Sequence, residues 1–185
     1  MKKNAVVLGN PYISERRKYY CVIMVTKAKA IPQMTLAVVL DSDARKVVLK
    51  EAVRGMNQGM VAPPGGKREF GESIRATAER ELLEETGINT KLSYAGYKVC
   101  HENGEAYVVH YFTGSANSSN TEVHSTDEGK VEWVELKDIP YGEMRPEEKY
   151  ILPIILKSMQ EEIHPQLRAE VDYSPYLKVS ISVAE

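Results

Sequence analysis

The segment Pro63 to Ile88, PPGGKREFGESIRATAERELLEETGI, gathers the residues of this 185-residue chain whose types and spacing can do chemistry. Gly65-Gly66 lets the backbone come close to a ligand, and Lys67 and Arg68 follow at once, the make-up of a loop that meets phosphate. Ser73 to Thr86 then predicts a helix: a serine N-cap, no interior Gly or Pro, strong helix formers, and Gly87 as a stop. On a 3.6-residue period Glu81, Glu84 and Glu85 fall within an arc of about 100°. Like charges so spaced repel by roughly 0.2–0.5 kcal/mol per pair on an isolated helix, so the arrangement calls for a counter-charge. A hard divalent cation, Mg²⁺ or Mn²⁺, supplies one, held by a few carboxylates together with substrate phosphate oxygens. Arg80, about 100° around the helix from Glu81, can brace the carboxylates through its forked donors. The alternative for the same letters is a solvated acidic helix face.

The whole string is more specific than its parts. Gly66, Glu72, Arg80-Glu81-Leu82, Glu84-Glu85 and Gly87-Ile88 occupy nine restricted positions over 23 residues, and at each of them the chain resembles the signature box of the Nudix hydrolases. That resemblance implies cleavage of a nucleoside diphosphate linked to another moiety, on a loop–helix–loop within an α/β/α sandwich. It implies that the Gly65 carbonyl, Glu81, Glu84 and Glu85 hold the metal, that Glu72 and Arg80 hold the box together, and that Lys67 faces the phosphates. Metal ions suit this reaction because they neutralise charge on diphosphate oxygens and acidify water for in-line attack. A glutamate takes the proton, with Glu81 and Glu85 as the candidates.

From about Met34 onward the chain is also similar to the MutT-like, oxidised-purine nucleoside triphosphatase branch. Arg54-Gly55, Thr126-Asp127-Glu128 ahead of Trp133, Lys137-Asp138-Ile139-Pro140, and Met144 to Tyr150 carry that likeness. It implies Glu128 as a further metal ligand and Glu147-Glu148 as paired acids that read a purine edge. Two adjacent carboxyls in a confined pocket do not both ionise readily, so one can stay protonated and donate while the other accepts. The alternative is that the pair are acids favoured at a helix N-terminus, worth about 0.3–1 kcal/mol. The branch's stacking tryptophan is Arg145 here, its amide contact is Ala62, its aromatic wall is Met56, and both pocket acids are longer by one methylene. An arginine plane can stack on a base.

The expected reaction is hydrolysis of a nucleoside triphosphate, with 8-oxo-dGTP-like purines as candidates, to a monophosphate and pyrophosphate. ADP-ribose, a dinucleoside polyphosphate or a 5′-triphosphate RNA end are alternative substrates, and a nucleotide sensor without turnover is a third reading. The expected partner is therefore a small-molecule nucleotide, with no membrane, no nucleic acid beyond such an RNA end, and a monomeric or homodimeric state.

Short apolar runs at Tyr19–Val25, Met34–Leu40, Lys46–Lys50, Tyr107–Phe112 and Lys130–Leu136 predict strands, with turn chemistry at Asp41 to Asp43 joining the second and third into a hairpin. Leu167–Tyr173 and Tyr176–Val183, around Ser174-Pro175, predict another hairpin, and Glu147–Ile163 carries a helical apolar stripe with Pro153 near its start. Strands, helix, strands, helix, strands favours an α+β fold with helices on a mixed sheet. Residues 31–185 are expected to form the hydrolase domain and residues 1–30 an extension that adds a strand.

Composition sets outer limits. With 24 Lys+Arg against 26 Asp+Glu the net charge is -2, which excludes a globally basic surface. Cys21 and Cys100 are 79 positions apart with no metal-ligand spacing around them, so no disulfide framework or zinc site is indicated. No apolar run reaches the ~20 residues of a membrane span, and the start lacks a signal-peptide core. A cytoplasmic protein is the default expectation.

Overall fold

The computed structural model describes residues 6–7, 22–23, 30–54, 57–127, 129–164 and 166–184. The chain divides into two units, Met1–Ala30 and Ile31–Glu185. In the smaller unit β1 (Val6–Val7) pairs antiparallel with β2 (Val22–Ile23). The rest of the expected strand at Tyr19–Val25 lies outside the described residues.

The larger unit contains β3 (Gln33–Asp41), β4 (Lys46–Ala52), β5 (Val61–Ala62), α1 (Ile74–Thr86), β6 (Ser93–Glu102), β7 (Glu105–Ala116), β8 (Gly129–Glu135), α2 (Glu148–Gln160), β9 (Gln166–Asp172) and β10 (Lys178–Ala184). Its sheet runs β10-β9-β6-β7-β3-β4-β5, with β8 also paired to β4. The β3–β7 and β6–β9 pairs are parallel and the others antiparallel, so the sheet is mixed, as expected.

β3 has the near-continuous apolar sequence of a strand covered on both faces. Val38 and Leu40 pack with Ile151, Leu152 and Ile155 of α2, whereas Ala37 and Val39 pack with Ala78 and Leu82 of α1. The sheet therefore carries one helix on each face, an open α/β/α sandwich. Trp133 packs half-buried on the α1 side, and its indole N–H donates to the Thr121 carbonyl at 3.2 Å. Cys100 is buried and free. No helix among the described residues is long and apolar enough to cross a membrane.

The expected α1 is present with its caps: Ser73 Oγ accepts from the Ala76 amide, and Gly87, at φ 77°, closes the last turn onto the Leu83 carbonyl. The expected helix at Glu147–Ile163 is shorter, Glu148–Gln160, with Pro153 on its exposed side. The long strand β6 was not expected. Its apolar residues are interrupted by Gly96 and Lys98, and its ladder with β7 is bulged between Tyr94 and Gly96, which breaks the period-two pattern.

Gly96 sits at φ +131° opposite Leu167 of β9, and an added Cβ would overlap the Leu167 backbone. Strain of this kind costs about 1–3 kcal/mol. Gly96→Ala is accordingly expected to lower the thermal unfolding midpoint and to speed amide exchange along β6 and β9. An unchanged midpoint would mean that β6 and β9 tolerate separation.

Candidate active site

The glycine-rich loop is sewn to β3 as though it were another strand. The Thr35 amide donates to the Gly66 carbonyl at 2.9 Å, the Ala37 amide to the Pro64 carbonyl at 2.8 Å, and the Arg68 amide to the Gln33 carbonyl at 3.0 Å. Between them Gly65 turns its own amide the other way, onto Glu85 Oε2 at 2.8 Å. Both glycines are needed for steric reasons. A Cβ on Gly65, at φ +154°, would overlap the Thr35 carbonyl, and one on Gly66 would overlap the Glu81 carboxylate. Lys67 remains exposed beside them.

The three glutamates of α1 grade from core to solvent, with side chains 5% exposed at Glu85, 13% at Glu81 and 59% at Glu84. Glu85 lies on the same buried face as Ala78 and Leu82, so its charge needs partners; Lys50 of β4 and the Gly65 amide supply them. Arg80 holds the other acids. Its Nε and one terminal nitrogen fork onto Glu72 at 2.7 and 3.1 Å, and its second terminal nitrogen reaches Glu81 and Glu84, each at 3.0 Å. Glu72 also accepts from the Glu69 amide at 3.0 Å and from Thr77 Oγ1 at 2.9 Å. These bonds, chiefly that from Arg80, hold the Glu72 carboxyl down at about 2. Burial instead pushes the Glu81 carboxyl up, and Glu85 and Glu84 add to that push against the pull of Arg80.

The donor set fits a hard divalent ion: oxygen donors on one face of one helix, a carboxyl raised by burial and, less, by its acidic neighbours, and a glycine beside it where a side chain would intrude. Among the described residues no three acidic, imidazole or thiol groups are already gathered at ligand distance, because Glu85 faces Lys50 while Glu81 and Glu84 face Arg80. Glu128 lies outside the described residues.

On the α2 face the expected acid pair is deeply buried, Glu147 at 0% and Glu148 at 2% exposure. Lys98 of β6 stands between them, its Nζ donating at 2.6 Å to Oε1 of each, and the Tyr111 hydroxyl donates to Glu148 Oε1 at 2.7 Å. One ammonium is thus shared by the two acids. Burial raises the Glu147 carboxyl, but the charge and hydrogen bond of Lys98 together with the Tyr173 hydroxyl outweigh it and leave the group below its ordinary value. Arg145 is engaged too, with its guanidinium carbon 4.8 Å from the Tyr173 ring centroid and bonds to Glu102 at 2.9 Å and the Tyr173 hydroxyl at 3.1 Å. One of its faces is therefore already stacked on protein. Met56 lies outside the described residues, and Ala62 sits in β5 opposite Lys50.

The structure thus brings Gly65, Lys67, Glu72, Arg80, Glu81, Glu84 and Glu85 together around one loop–helix unit, and Arg145, Glu147 and Glu148 at the start of α2. From the loop to Lys98 the sheet crosses β3, β7 and β6, three strand spacings or roughly 14 Å. Lys50, Lys98, Tyr111 and Tyr173 were not singled out by sequence. Alternation could have found Lys50, which shares a strand face with Val48 and hence with the α1 layer.

The NUDIX domain family matches residues 32–154. The chain is 31% identical over 126 residues to the oxidized purine nucleoside triphosphate hydrolase of Mus musculus, covering 66% of this chain and 78% of that protein. It is 35% identical over 125 residues to the Uncharacterized Nudix hydrolase YvcI of Bacillus subtilis (strain 168), covering 64% and 76%. Among solved structures it resembles the MutT protein from Bacillus halodurans, with TM-score 0.66, 27% identity, and coverage of 83% of this chain and 97% of that one. The NUDIX domain of Shewanella oneidensis NrtR, complexed with ADP ribose, shares the fold at TM-score 0.60 and 18% identity, over 72% and 90% of the two chains.

The depressed Glu72 carboxyl makes a pH-dependent contribution to stability. Its folded-state value of about 2 lies below the ordinary 4.5, so the contribution is present above 4.5 and is lost as pH falls toward 2. Thermal melts should show Glu72→Gln below wild type at pH 7, with the gap narrowing steadily at pH 4, 3 and 2. A gap of the same size at pH 7 and pH 2.5 would contradict the ion-paired role.

Proposed function

The chain belongs to the Nudix hydrolase family, and on that premise we propose that it hydrolyses a purine nucleoside triphosphate, oxidised purines included, to the nucleoside monophosphate and pyrophosphate. The observation that carries this reading is the assembled loop–helix unit, in which Gly65 and Glu85 are locked together while Arg80 spans Glu72, Glu81 and Glu84. The buried acid pair of α2 and the likeness to the oxidized purine nucleoside triphosphate hydrolase of Mus musculus support the purine triphosphate.

Nudix hydrolases generally use divalent metal ions. Here Glu81, Glu84, Glu85, the Gly65 carbonyl and Glu128 would hold Mg²⁺ or Mn²⁺. Support for the Gly65 carbonyl comes from the loop, where the carbonyls of Pro64 and Gly66 accept from β3 while the Gly65 amide turns toward Glu85. When bound, the ion supplies positive charge to the diphosphate oxygens and acidifies water. Lys67, exposed on the loop, binds phosphate oxygens as a point charge. Arg80 keeps Glu81 and Glu84 in place, and Glu72 keeps Arg80 in place. Glu81 or Glu85 accepts the proton of the attacking water. At the other end of the ligand Glu147 and Glu148 contact the base edge, and Arg145 and Met56 border it.

A panel of ordinary and oxidised nucleoside triphosphates, ADP-ribose, dinucleoside polyphosphates and 5′-triphosphate RNA, each with Mg²⁺, tests the proposal. The expected products are monophosphate and pyrophosphate from a purine triphosphate, with Glu85→Gln at least about 10²-fold slower. A clear rate on another panel member with none on free triphosphates would replace the substrate. Tight nucleotide binding by calorimetry with no Mg²⁺-dependent product would replace the reaction by sensing.

A further inference from the structure

The buried acid pair has an asymmetry in its oxygens. Lys98 takes Oε1 of both glutamates, and Tyr111 adds a second donor to Glu148 Oε1, whereas Glu147 Oε2 and Glu148 Oε2 are buried with no hydrogen-bond partner. Buried acceptors left without donors are costly, so these two oxygens mark a place for donors from outside the chain. Lys98 bridges both carboxylates, and Arg145, whose Nε lies 3.7 Å from Glu147 Oε1, adds a second positive charge that it shares with Glu102 at 2.9 Å.

Other titratable groups surround the pair. Cys100 on β6, Tyr107 and Tyr111 on β7 and Tyr173 after β9 are raised by burial, so all four stay neutral through pH 6–8, and the Tyr173 hydroxyl also interacts with Glu147. Glu102 on β6 is half-buried and shares Arg145 with Glu147.

From this geometry we infer that Lys98 determines the base preference of the enzyme. By engaging one oxygen of each acid, it fixes the other two as a pair of acceptors. Such a pair takes a base edge with two adjacent N–H donors, as the ring N–H and amino group of guanine-type purines provide. It rejects an edge with one donor beside one acceptor, as adenine has. An acid pair sharing a proton would present one donor and one acceptor and would take the second kind of edge. The inference rests on the reading of Glu147 and Glu148 as base-contacting acids.

The test compares kcat/KM for guanine-type and adenine-type triphosphates in wild type, Lys98→Met and Lys98→Arg across pH 6–8. Wild type should favour guanine-type bases by about 10²-fold or more, because a mismatched edge leaves a buried acceptor unpaired. That ratio should be flat with pH. In Lys98→Met, whose acids must share a proton, the ratio should fall at least about tenfold and become pH-dependent, and Lys98→Arg should restore most of it. A wild-type preference for adenine-type bases, or the same ratio in Lys98→Met as in wild type, overturns the inference. Should Lys98→Met fail to fold in thermal melts, the wild-type pH profile decides, because a ratio that changes across pH 6–8 also overturns it. Failure of the underlying reading looks different: Glu147→Gln and Glu148→Gln would leave KM unchanged for every base, and a base-free deoxyribose 5-triphosphate would be cleaved as well as a nucleotide.

Discussion

Glu85 projects from the face of α1 that also carries Leu82 and Ala78, so a charged group is built into the layer that joins helix to sheet. A carboxylate there is tolerated only with close partners. Lys50 comes from β4 and the Gly65 amide from the loop laid along β3, so one carboxylate ties helix, strand and loop to each other. Gly65 can serve only because it has no side chain to meet Thr35, and Gly66 only because it has none to meet Glu81. The positions of the other acids follow, since Arg80 can span Glu72, Glu81 and Glu84 only while the loop and helix keep this spacing.

The two ends of the candidate ligand site treat buried acid in opposite ways. At the loop–helix unit, burial raises the Glu81 carboxyl, and Glu85 and Glu84 add to that against the pull of Arg80. At the start of α2, Lys98 bridges Glu147 and Glu148, and Arg145 lies beside Glu147 while bonded to Glu102. Of 26 acidic residues, 6 fall in Glu69 to Glu85 and 9 in Glu122 to Glu148, and the overall charge of -2 conceals both clusters.

Sequence was most informative where chemistry restricts the residue at each position. Ser73, Gly87 and the glutamates of α1 form one uninterrupted helical period, so their placement could be read directly. Apolar runs located β3, β4, β7 and β8 for a similar reason. β6 escaped because Gly96 bulges its ladder and Lys98 interrupts its apolar face, and with β6 went any view of the cation between the acids. The lysine that lies between the two adjacent glutamates comes from far earlier in the chain, beyond the reach of any local pattern. Arg145 was legible as a planar cation, but its stacking on Tyr173 depends on the loop after β9, which no local pattern fixes.

On the proposed function Glu85, which faces Lys50 in the structure, must release that lysine to hold a divalent cation. Mn²⁺ titration followed by electron paramagnetic resonance, in wild type, Glu85→Gln and Lys50→Met, tests it most directly. Tight binding in wild type, its loss in Glu85→Gln and tighter binding in Lys50→Met is the predicted result. Equal Mn²⁺ affinity in wild type and Glu85→Gln would contradict the account.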